Sequence, residues 1–271
     1  MLNIMQLYLD DRKGIAKSHD TMVHHAKPVL RLMGGLDAAR LNEMSARTYI
    51  TARRAEGSAE ATISKELRQL RAALNFAERM TILDRAPKYS IPVEPTPPRD
   101  FWLTKPQARD LVDACLTPHI NLFVELAFAT GARRSALLEL QWDQVNLSTA
   151  QIDLGANRGK KRRAVVPIND RLKPRLELAW DMATCDNVIE WNSKPVKNVR
   201  TGFTAAVRRA GLPKRTSPHI LRHSVATWMA MDNVPIEEIA RYLGNSVEMV
   251  RRVYAKHTPD YLRRAARSTE F

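Results

Sequence analysis

The chain has 271 residues, of which 44% are hydrophobic and 27% charged, so it is long enough for two domains with separate cores. Lysine and arginine outnumber aspartate and glutamate by 43 to 29, and the net charge of +14 suits a polyanionic partner such as nucleic acid, although ribosomal and membrane-surface proteins share this property. The two cysteines are too few for a disulfide framework or a zinc site, and the lack of a signal peptide or membrane-spanning stretch predicts a soluble, cytoplasmic protein.

The first 86 residues show helical periodicity and predict a small four-helix domain. Three shorter patterns cover residues 3–12, 20–33 and 41–55, and a longer helix follows Ser58, a candidate N-cap. Apolar residues three or four positions apart form one stripe along this longer helix: Ile63, Leu67, Leu70, Leu74 and Ala77. Its other faces carry four basic residues, which either face solvent or contact phosphates: Lys65, Arg68, Arg71 and Arg79.

A proline-rich segment follows, with five of the 15 prolines between Pro87 and Pro98. Proline lacks a backbone donor and disfavours helix in the residue before it, so we predict an extended linker over residues 87–99. This linker separates a first domain, residues 1–86, from a second domain, residues 100–271.

The second domain begins with a capping box, Thr104 to Gln107, which opens a helix to about Leu116. Further helical patterns cover residues 118–129, 197–210, 218–231, 235–243 and 246–256. Between the second and third of the domain's helices, three short strands are predicted: Val145 to Leu147, Ile152 to Leu154 and Ala164 to Ile168. The predicted fold class is therefore mainly α with a small β-sheet (α+β).

Four residues of this domain suit the metal-free cleavage of a phosphodiester. That reaction needs a nucleophile, positive charge on the nonbridging oxygens and a proton for the leaving oxygen. Arg133 follows a break between two helices, while His219 and Arg222 share one face at the start of the helix over 218–231. Tyr254 follows in a C-terminal helix. Each has an ordinary structural explanation when taken alone, and only their order and spacing together indicate this chemistry.

The combined pattern resembles the tyrosine recombinase (phage integrase) family. It consists of Thr-Gly-Ala-Arg133, a basic hairpin, His219-Ile-Leu-Arg-His223, Leu-Gly-Asn245 and Tyr254, and the match extends over about residues 100–260. The preceding helices, with the segment from Ala61 to Arg71, resemble the family's SAM-like core-binding domain.

The resemblance implies a role for each of these residues and requires neither a metal nor another cofactor. Arg133 and Arg222 clamp the scissile phosphate, and His219 assists proton transfer as a base toward the tyrosine. Tyr254 attacks phosphorus, which yields a 3′-phosphotyrosine link and a free 5′-hydroxyl.

The family's lysine lies on a β-hairpin and protonates the leaving oxygen. Here the hairpin spans residues 152–168, with basic residues at its tip from Arg158 to Arg163. In the family's usual hairpin register, the position of the lysine falls nearer Arg158 or Gly159. A hairpin loop of a different length would place Lys160 or Lys161 at this position instead. We expect Lys161 in this role, with Lys160 as the alternative.

Two positions depart from the family pattern. Ala136 stands where an acidic residue is usual, and Glu139, one turn further along, is a candidate for a partial substitute. Asn245 stands where histidine or tryptophan is usual, and its amide can donate a hydrogen bond to a phosphate oxygen but carries no charge. We expect slower chemistry as a result.

The resemblance implies a site-specific recombinase that acts in integration, excision or resolution of mobile DNA. Its expected partners are double-stranded DNA, which the two domains enclose, three further copies in a homotetramer on paired sites, and an accessory DNA-bending protein. Two alternatives remain open at this point. One is a monomeric type IB topoisomerase, and the other is a DNA-binding relative weakened or inactivated by Ala136 and Asn245.

Overall fold

A computed structural model describes residues 1–16, 18–92, 101–155 and 164–254. The chain divides into two compact units, Met1–Pro97 and Pro98–Phe271. The described residues form twelve α-helices, two short 3-10 helices and five short strands, so the predicted mainly helical α+β class is confirmed. The linker over 87–99 stays a prediction, because more than half of it lies outside the described residues.

Four helices build the first unit, as the periodicity predicts. They are α1 (Leu2–Arg12), α2 (His19–Met33), α3 (Glu43–Ala55) and α4 (Glu60–Arg79), with a 3-10 turn at Ala38–Arg40. The apolar stripe predicted for the long helix α4 is fully buried and packs against the other three helices. The core of this unit is therefore organised around α4.

The start of α4 differs from the prediction, because its N-cap is Ala59 and not Ser58. Ser58 belongs to the end of α3, where its N–H bonds the Arg53 carbonyl at 3.0 Å and the N–H of Gly57 bonds the Arg54 carbonyl at 2.9 Å. Gly57 has a left-handed backbone with φ +75°. These two hydrogen bonds form a Schellman motif. Ser58 therefore belongs to the C-terminal end of α3 and does not cap α4.

A buried carboxylate joins α3 to α4. Glu66 accepts hydrogen bonds from the Tyr49 hydroxyl at 2.8 Å and from Arg53 Nε and Nη2 at 3.0 and 2.8 Å. The side chain of Glu66 is only 3% exposed, so these hydrogen bonds offset the cost of burying it. The bond to Glu66 is the main reason why the pKa of Arg53 is raised above its ordinary value.

The second unit contains the remaining eight helices, of which six were predicted. The predicted helices are α5 (Lys105–Asp113), α6 (Pro118–Thr130), α9 (Arg200–Arg209), α10 (Pro218–Met231), α11 (Ile236–Leu243) and α12 (Val247–Tyr254). The unpredicted ones are α7 (Arg134–Leu138) and α8 (Lys173–Asp181). A 3-10 helix also covers Trp142–Gln144.

The starts of α5 and α10 differ in how they are capped. The capping box at α5 is confirmed, since Thr104 Oγ1 accepts from the Gln107 N–H at 3.3 Å and Gln107 accepts from the Thr104 N–H at 2.9 Å. The helix ends at Asp113, three residues before the predicted end. At α10, Ser217 holds the N-cap position but its side chain makes no capping hydrogen bond, so Pro218 in the first turn is the remaining start signal.

The three predicted strands form an antiparallel sheet in the order β1 (Val145–Asn146), β2 (Gln151–Asp153), β3 (Val165–Pro167). Ile152 pairs with Val166, and both side chains are fully buried. A second, unpredicted hairpin pairs β4 (Glu190–Trp191) with β5 (Lys194–Pro195). Over the described ranges, no helix combines the length and apolar character needed to cross a membrane.

Candidate active site

The end of α6 brings the first arginine to the site. Gly131 is the C-cap of α6 and has a left-handed backbone with φ +58°. A Cβ at this position would lie 2.6 Å from Leu243 Cδ2 and 3.3 Å from Val225 Cγ1, so glycine also permits the close approach of α10 and α11. The chain then extends through Arg133, the N-cap residue of α7.

Arg133 and Arg222 meet at one oxygen atom, the Oδ1 of Asn245. Arg133 Nη2 and Arg222 Nη2 each donate to this oxygen at 2.9 Å. Arg222 donates further to the Gly131 carbonyl at 2.7 Å and to the Leu243 carbonyl at 2.8 Å. The two guanidinium groups chosen from the sequence are therefore neighbours, although Arg133 and Arg222 lie 89 residues apart in the chain.

The environment of Arg222 is unusual for a cation, because only 5% of the residue is exposed. Burial, followed by the nearby charge of Arg133, lowers the pKa of Arg222 to about 10, against the opposing effect of Tyr254. Arg222 nevertheless remains protonated at neutral pH. Two positive charges therefore converge on one uncharged amide oxygen.

A small cavity of about 40 Å³ opens beside the two guanidinium groups. It is lined by Ala132, Arg133, Ser135, Ala136, Leu154, Ala164, Arg222 and Leu243. Ala136 is buried and forms part of this wall, so a methyl group stands where the family pattern has a carboxylate. Glu139 is exposed at the C-cap of α7, and its role as a partial substitute stays a prediction. Apart from the two arginines and Ser135, the cavity is lined by apolar residues, and its positive charge suits an anion.

Tyr254 lies on α12 in a second environment, with 8% of the residue exposed. It packs in a cluster with apolar side chains of α10, α11 and α12 that includes Ile239, Leu243 and Val250. Its hydroxyl oxygen lies 3.0 Å from Nδ1 of His223, and the two ring centroids are 5.2 Å apart. Burial raises the pKa of Tyr254 and the charge of Arg222 opposes this, so the phenol is neutral at physiological pH.

His223 contacts the tyrosine in the structure, whereas the sequence suggested His219 as the base. His219 lies in the first turn of α10 and is exposed, whereas His223 is one turn further and 3% exposed. His219, Arg222 and His223 share a helical face by their spacing, which is the signal that identifies His223 as a candidate. The base role of His219 stays a prediction.

The remaining predicted site residues, Lys160 and Lys161, lie outside the described residues. Their role as the general acid therefore stays a prediction. Among the described residues, no three histidine, cysteine, aspartate or glutamate side chains are grouped so that they could hold a metal ion.

Known proteins are similar to this chain in sequence and in fold. The family model of the phage integrase family matches residues 101–260. The integrase of Salmonella phage P22 is 32% identical over 229 residues, which cover 79% of this chain and 58% of that integrase. The chain thus spans less than two thirds of the length of this relative.

Two solved structures show the same fold at low sequence identity. The Tn1549 transposon integrase in complex with transposon right end DNA has a TM-score of 0.78 at 17% identity, covering 98% of this chain and 99% of that chain. A lambda integrase tetramer bound to a Holliday junction has a TM-score of 0.71 at 17% identity, covering 90% of this chain and 76% of that chain.

Proposed function

Because the chain belongs to the phage integrase family, whose model matches more than half of its length, we propose that it is a site-specific DNA recombinase. It breaks and rejoins DNA strands through a covalent 3′-phosphotyrosine intermediate. The reaction is transesterification, so the energy of the broken phosphodiester is kept in the bond to the enzyme. Integration, excision and resolution of mobile DNA all use this one reaction.

One observation carries this proposal, namely that the guanidinium groups of Arg133 and Arg222 both bond a single oxygen. A nonbridging phosphate oxygen that displaces the Asn245 amide oxygen receives the same two donors and also neutralises their charge. Each such charge-assisted bond contributes about 1.5–3 kcal/mol. Two of them fall short of the roughly 8–23 kcal/mol by which enzymes lower barriers, so substrate positioning and proton transfer must supply the rest.

The chemical step uses Tyr254 as the nucleophile. Its hydroxyl oxygen bonds to phosphorus as its proton passes to His219, the base that we propose, and the bond from phosphorus to the 5′-oxygen breaks. The leaving oxygen takes a proton from the hairpin lysine, which we assign to Lys161 or Lys160. Attack of a 5′-hydroxyl from another strand on the phosphotyrosine then completes the exchange and releases Tyr254.

Double-stranded DNA is the proposed substrate, and a homotetramer on two paired sites is the proposed working form. The net charge of +14 supports the first part, because neutralised phosphates release condensed counterions. The tetrameric lambda integrase on a Holliday junction supports the second part by its shared fold. An accessory DNA-bending protein is a further proposed partner.

The direct test is adduct formation on nicked suicide DNA that carries the repeats flanking the element that encodes the chain. We expect the wild type to form a covalent adduct, detected as a shifted band under denaturing conditions. Tyr254→Phe should bind the same DNA but form none. Tyr242→Phe is the matched control, since Tyr242 is also partly buried and bonds the Ala129 carbonyl, and it should retain adduct formation.

Three outcomes would count against parts of the proposal. Equal trapping by the wild type and by Tyr254→Phe would remove Tyr254 as the nucleophile. Specific binding by the wild type without any adduct would favour a DNA-binding relative. Relaxation of supercoiled plasmid by a monomer, with no tetramer on paired sites by mass photometry, would favour a type IB topoisomerase.

A further inference from the structure

His223 contacts the atom that performs the attack in the proposed reaction. Its Nδ1 lies 3.0 Å from the Tyr254 hydroxyl oxygen, and both side chains are buried between α10 and α12. The neighbouring residue on α10 is Arg222, the buried member of the arginine pair. One helix therefore carries both a partner of the nucleophile and a ligand for the phosphate at consecutive positions.

We infer that His223 is the residue that positions the nucleophilic oxygen of Tyr254. This inference rests on the proposed function, because it takes Tyr254 as the nucleophile. It assigns the contact with the tyrosine to a histidine other than His219. His223 acts through Tyr254 and holds its phenol at a fixed distance from the arginine pair.

Packing alone does not explain a histidine at this place. The surrounding cluster is built from aliphatic side chains such as Ala226, Leu243 and Val250, and a leucine would fill similar space without polar atoms. Burying an imidazole and a phenol carries a desolvation cost, and the hydrogen bond between the two side chains offsets part of it. A polar pair in an otherwise apolar cluster is therefore retained for the position of its hydroxyl group and not for stability.

The position of that hydroxyl matters because attack on phosphorus depends on distance and direction. Misplacement of a reacting group by about 1 Å lowers rates by roughly 100-fold. Tyr254 lies on α12, and its hydroxyl oxygen is 3.0 Å from His223 Nδ1 on α10. This hydrogen bond fixes the phenol relative to the helix that carries Arg222.

The test compares His223→Leu with His223→Asn in the full chain. Leucine keeps the bulk but removes the hydrogen bond, whereas the asparagine amide offers both a donor and an acceptor near the place of Nδ1, whichever atom of the pair donates. At saturating suicide DNA, we expect His223→Leu to form adduct at least about 10-fold more slowly with an unchanged dissociation constant. His223→Asn should recover to within about 3-fold of the wild type.

His119→Leu is the matched control, because His119 is a partly buried histidine of the same unit whose ring packs against Trp191, tilted by 48° with 4.5 Å between ring centroids. It should leave the adduct rate unchanged. Melting temperatures of all variants separate loss of positioning from loss of fold. A merely structural role predicts that rates follow melting temperature and that asparagine gives no rescue.

The outcomes distinguish the inference from the proposed function. Absence of adduct in the wild type overturns the function, and the inference with it. A wild-type adduct with an equal or faster rate in His223→Leu overturns the inference alone, and a faster rate means that the bond restrains the tyrosine. An independent readout is the ¹⁵N resonance of His223 Nδ1, which should shift in Tyr254→Phe. An unshifted resonance would show that the contact is absent in solution.

Discussion

At the scale of single residues, Arg222 is held in a position that disfavours its own charge. Its pKa of about 10 lies below the ordinary 12.5, which corresponds to roughly 3 kcal/mol against the charged form. Because the pKa of this base is lower in the folded chain, the cost is present below pH 10 and disappears only as the pH rises through the unfolded value. A bound phosphate would offset this cost, so substrate binding compensates for the burial of the Arg222 charge and for its repulsion by Arg133.

Arg133→Gln separates the contribution of this arginine to the reaction from its contribution to stability. The change removes one charge-assisted contact, so adduct formation should fall by about 10- to 150-fold. It also removes the second largest cause of the lowered pKa of Arg222, so the melting temperature should stay constant or rise. The exposed neighbour Arg134 provides the control, since Arg134→Gln makes the same charge change and should leave the rate near that of the wild type.

Asn245→Asp tests whether the uncharged amide keeps the arginine pair available. A carboxylate at this position bonds both guanidinium groups and neutralises them, so phosphate must compete with a fixed anion. We expect a slower adduct rate, by about 100-fold, together with a higher melting temperature. Asn245→His introduces the residue usual in the family and should form adduct at least as fast as the wild type. A wild-type rate in Asn245→Asp would contradict the geometry around Arg133 and Arg222.

The sequence predicted the arginine pair and the tyrosine through their order and spacing, but it did not predict their partners. Spacing along α10 shows that Arg222 and His223 each lie near His219 on the helix surface. It does not show which element packs there, since His223 and Tyr254 lie 31 residues apart and meet only in the folded chain. Likewise, the sequence suggested Asn245 as a donor to phosphate through its side-chain amide. In the structure the Oδ1 of the same amide accepts from both arginines.

At the scale of elements, two helix ends hold Arg222 in place. Its guanidinium group donates to the carbonyls of Gly131 and Leu243, which belong to the C-terminal ends of α6 and α11. Carbonyls at a helix C-terminus lack partners within the helix and carry partial negative charge, so they attract a cation. The site is therefore built where two helices end beside a third, and the two glycines Gly131 and Gly244 end them with left-handed backbones.

Gly131→Ala should disturb this junction more than a simple backbone effect. A left-handed alanine costs about 1 kcal/mol, and the clash with Leu243 adds to it, so we expect a loss of about 2–3 kcal/mol in unfolding free energy. Gly211→Ala is the matched control, because Gly211 has a similar φ of +64° and open space around its Cβ. Denaturant unfolding measures both. Equal losses in the two variants would mean that α6 and α11 are not in close contact.

The elements with a clear period were predicted, and most of the short ones were not, the two-residue strand β1 being an exception. The stripe along α4 and the capping box of α5 contain enough residues for the pattern to be distinct. Helix α7 has five residues, and the strands β4 and β5 have two each, which is too short for a periodic signal. Helix α8 has the length but buries little beyond Leu176, while Leu178 and Trp180 are exposed, so its apolar residues form no stripe.

At the scale of the whole molecule, some basic side chains are exposed and others are bonded within the fold. The composition counts both kinds alike. On α4, Lys65, Arg68 and Arg79 are exposed, whereas Arg71 is half-buried, donates to the carbonyl of Tyr89 and lies 5.1 Å from its ring centroid. The sequence alone left all four open as either solvent-facing or phosphate-binding. Arg71 is already engaged within its own unit, so only the exposed three are available for a polyanion.

Salt dependence of DNA binding distinguishes these two kinds of basic side chain. The slope of log affinity against log salt is about −0.9 for each neutralised phosphate, so a protein with this charge should show a steep decrease. Arg68→Gln should reduce the magnitude of the slope by about 1 without a change in melting temperature. Arg71→Gln should leave the slope unchanged and lower stability by about 1 kcal/mol, because it loses the bond to Tyr89. A nearly flat response in the wild type would exclude DNA as the main partner, and equal slopes in the wild type and Arg68→Gln would mean that Arg68 faces only solvent.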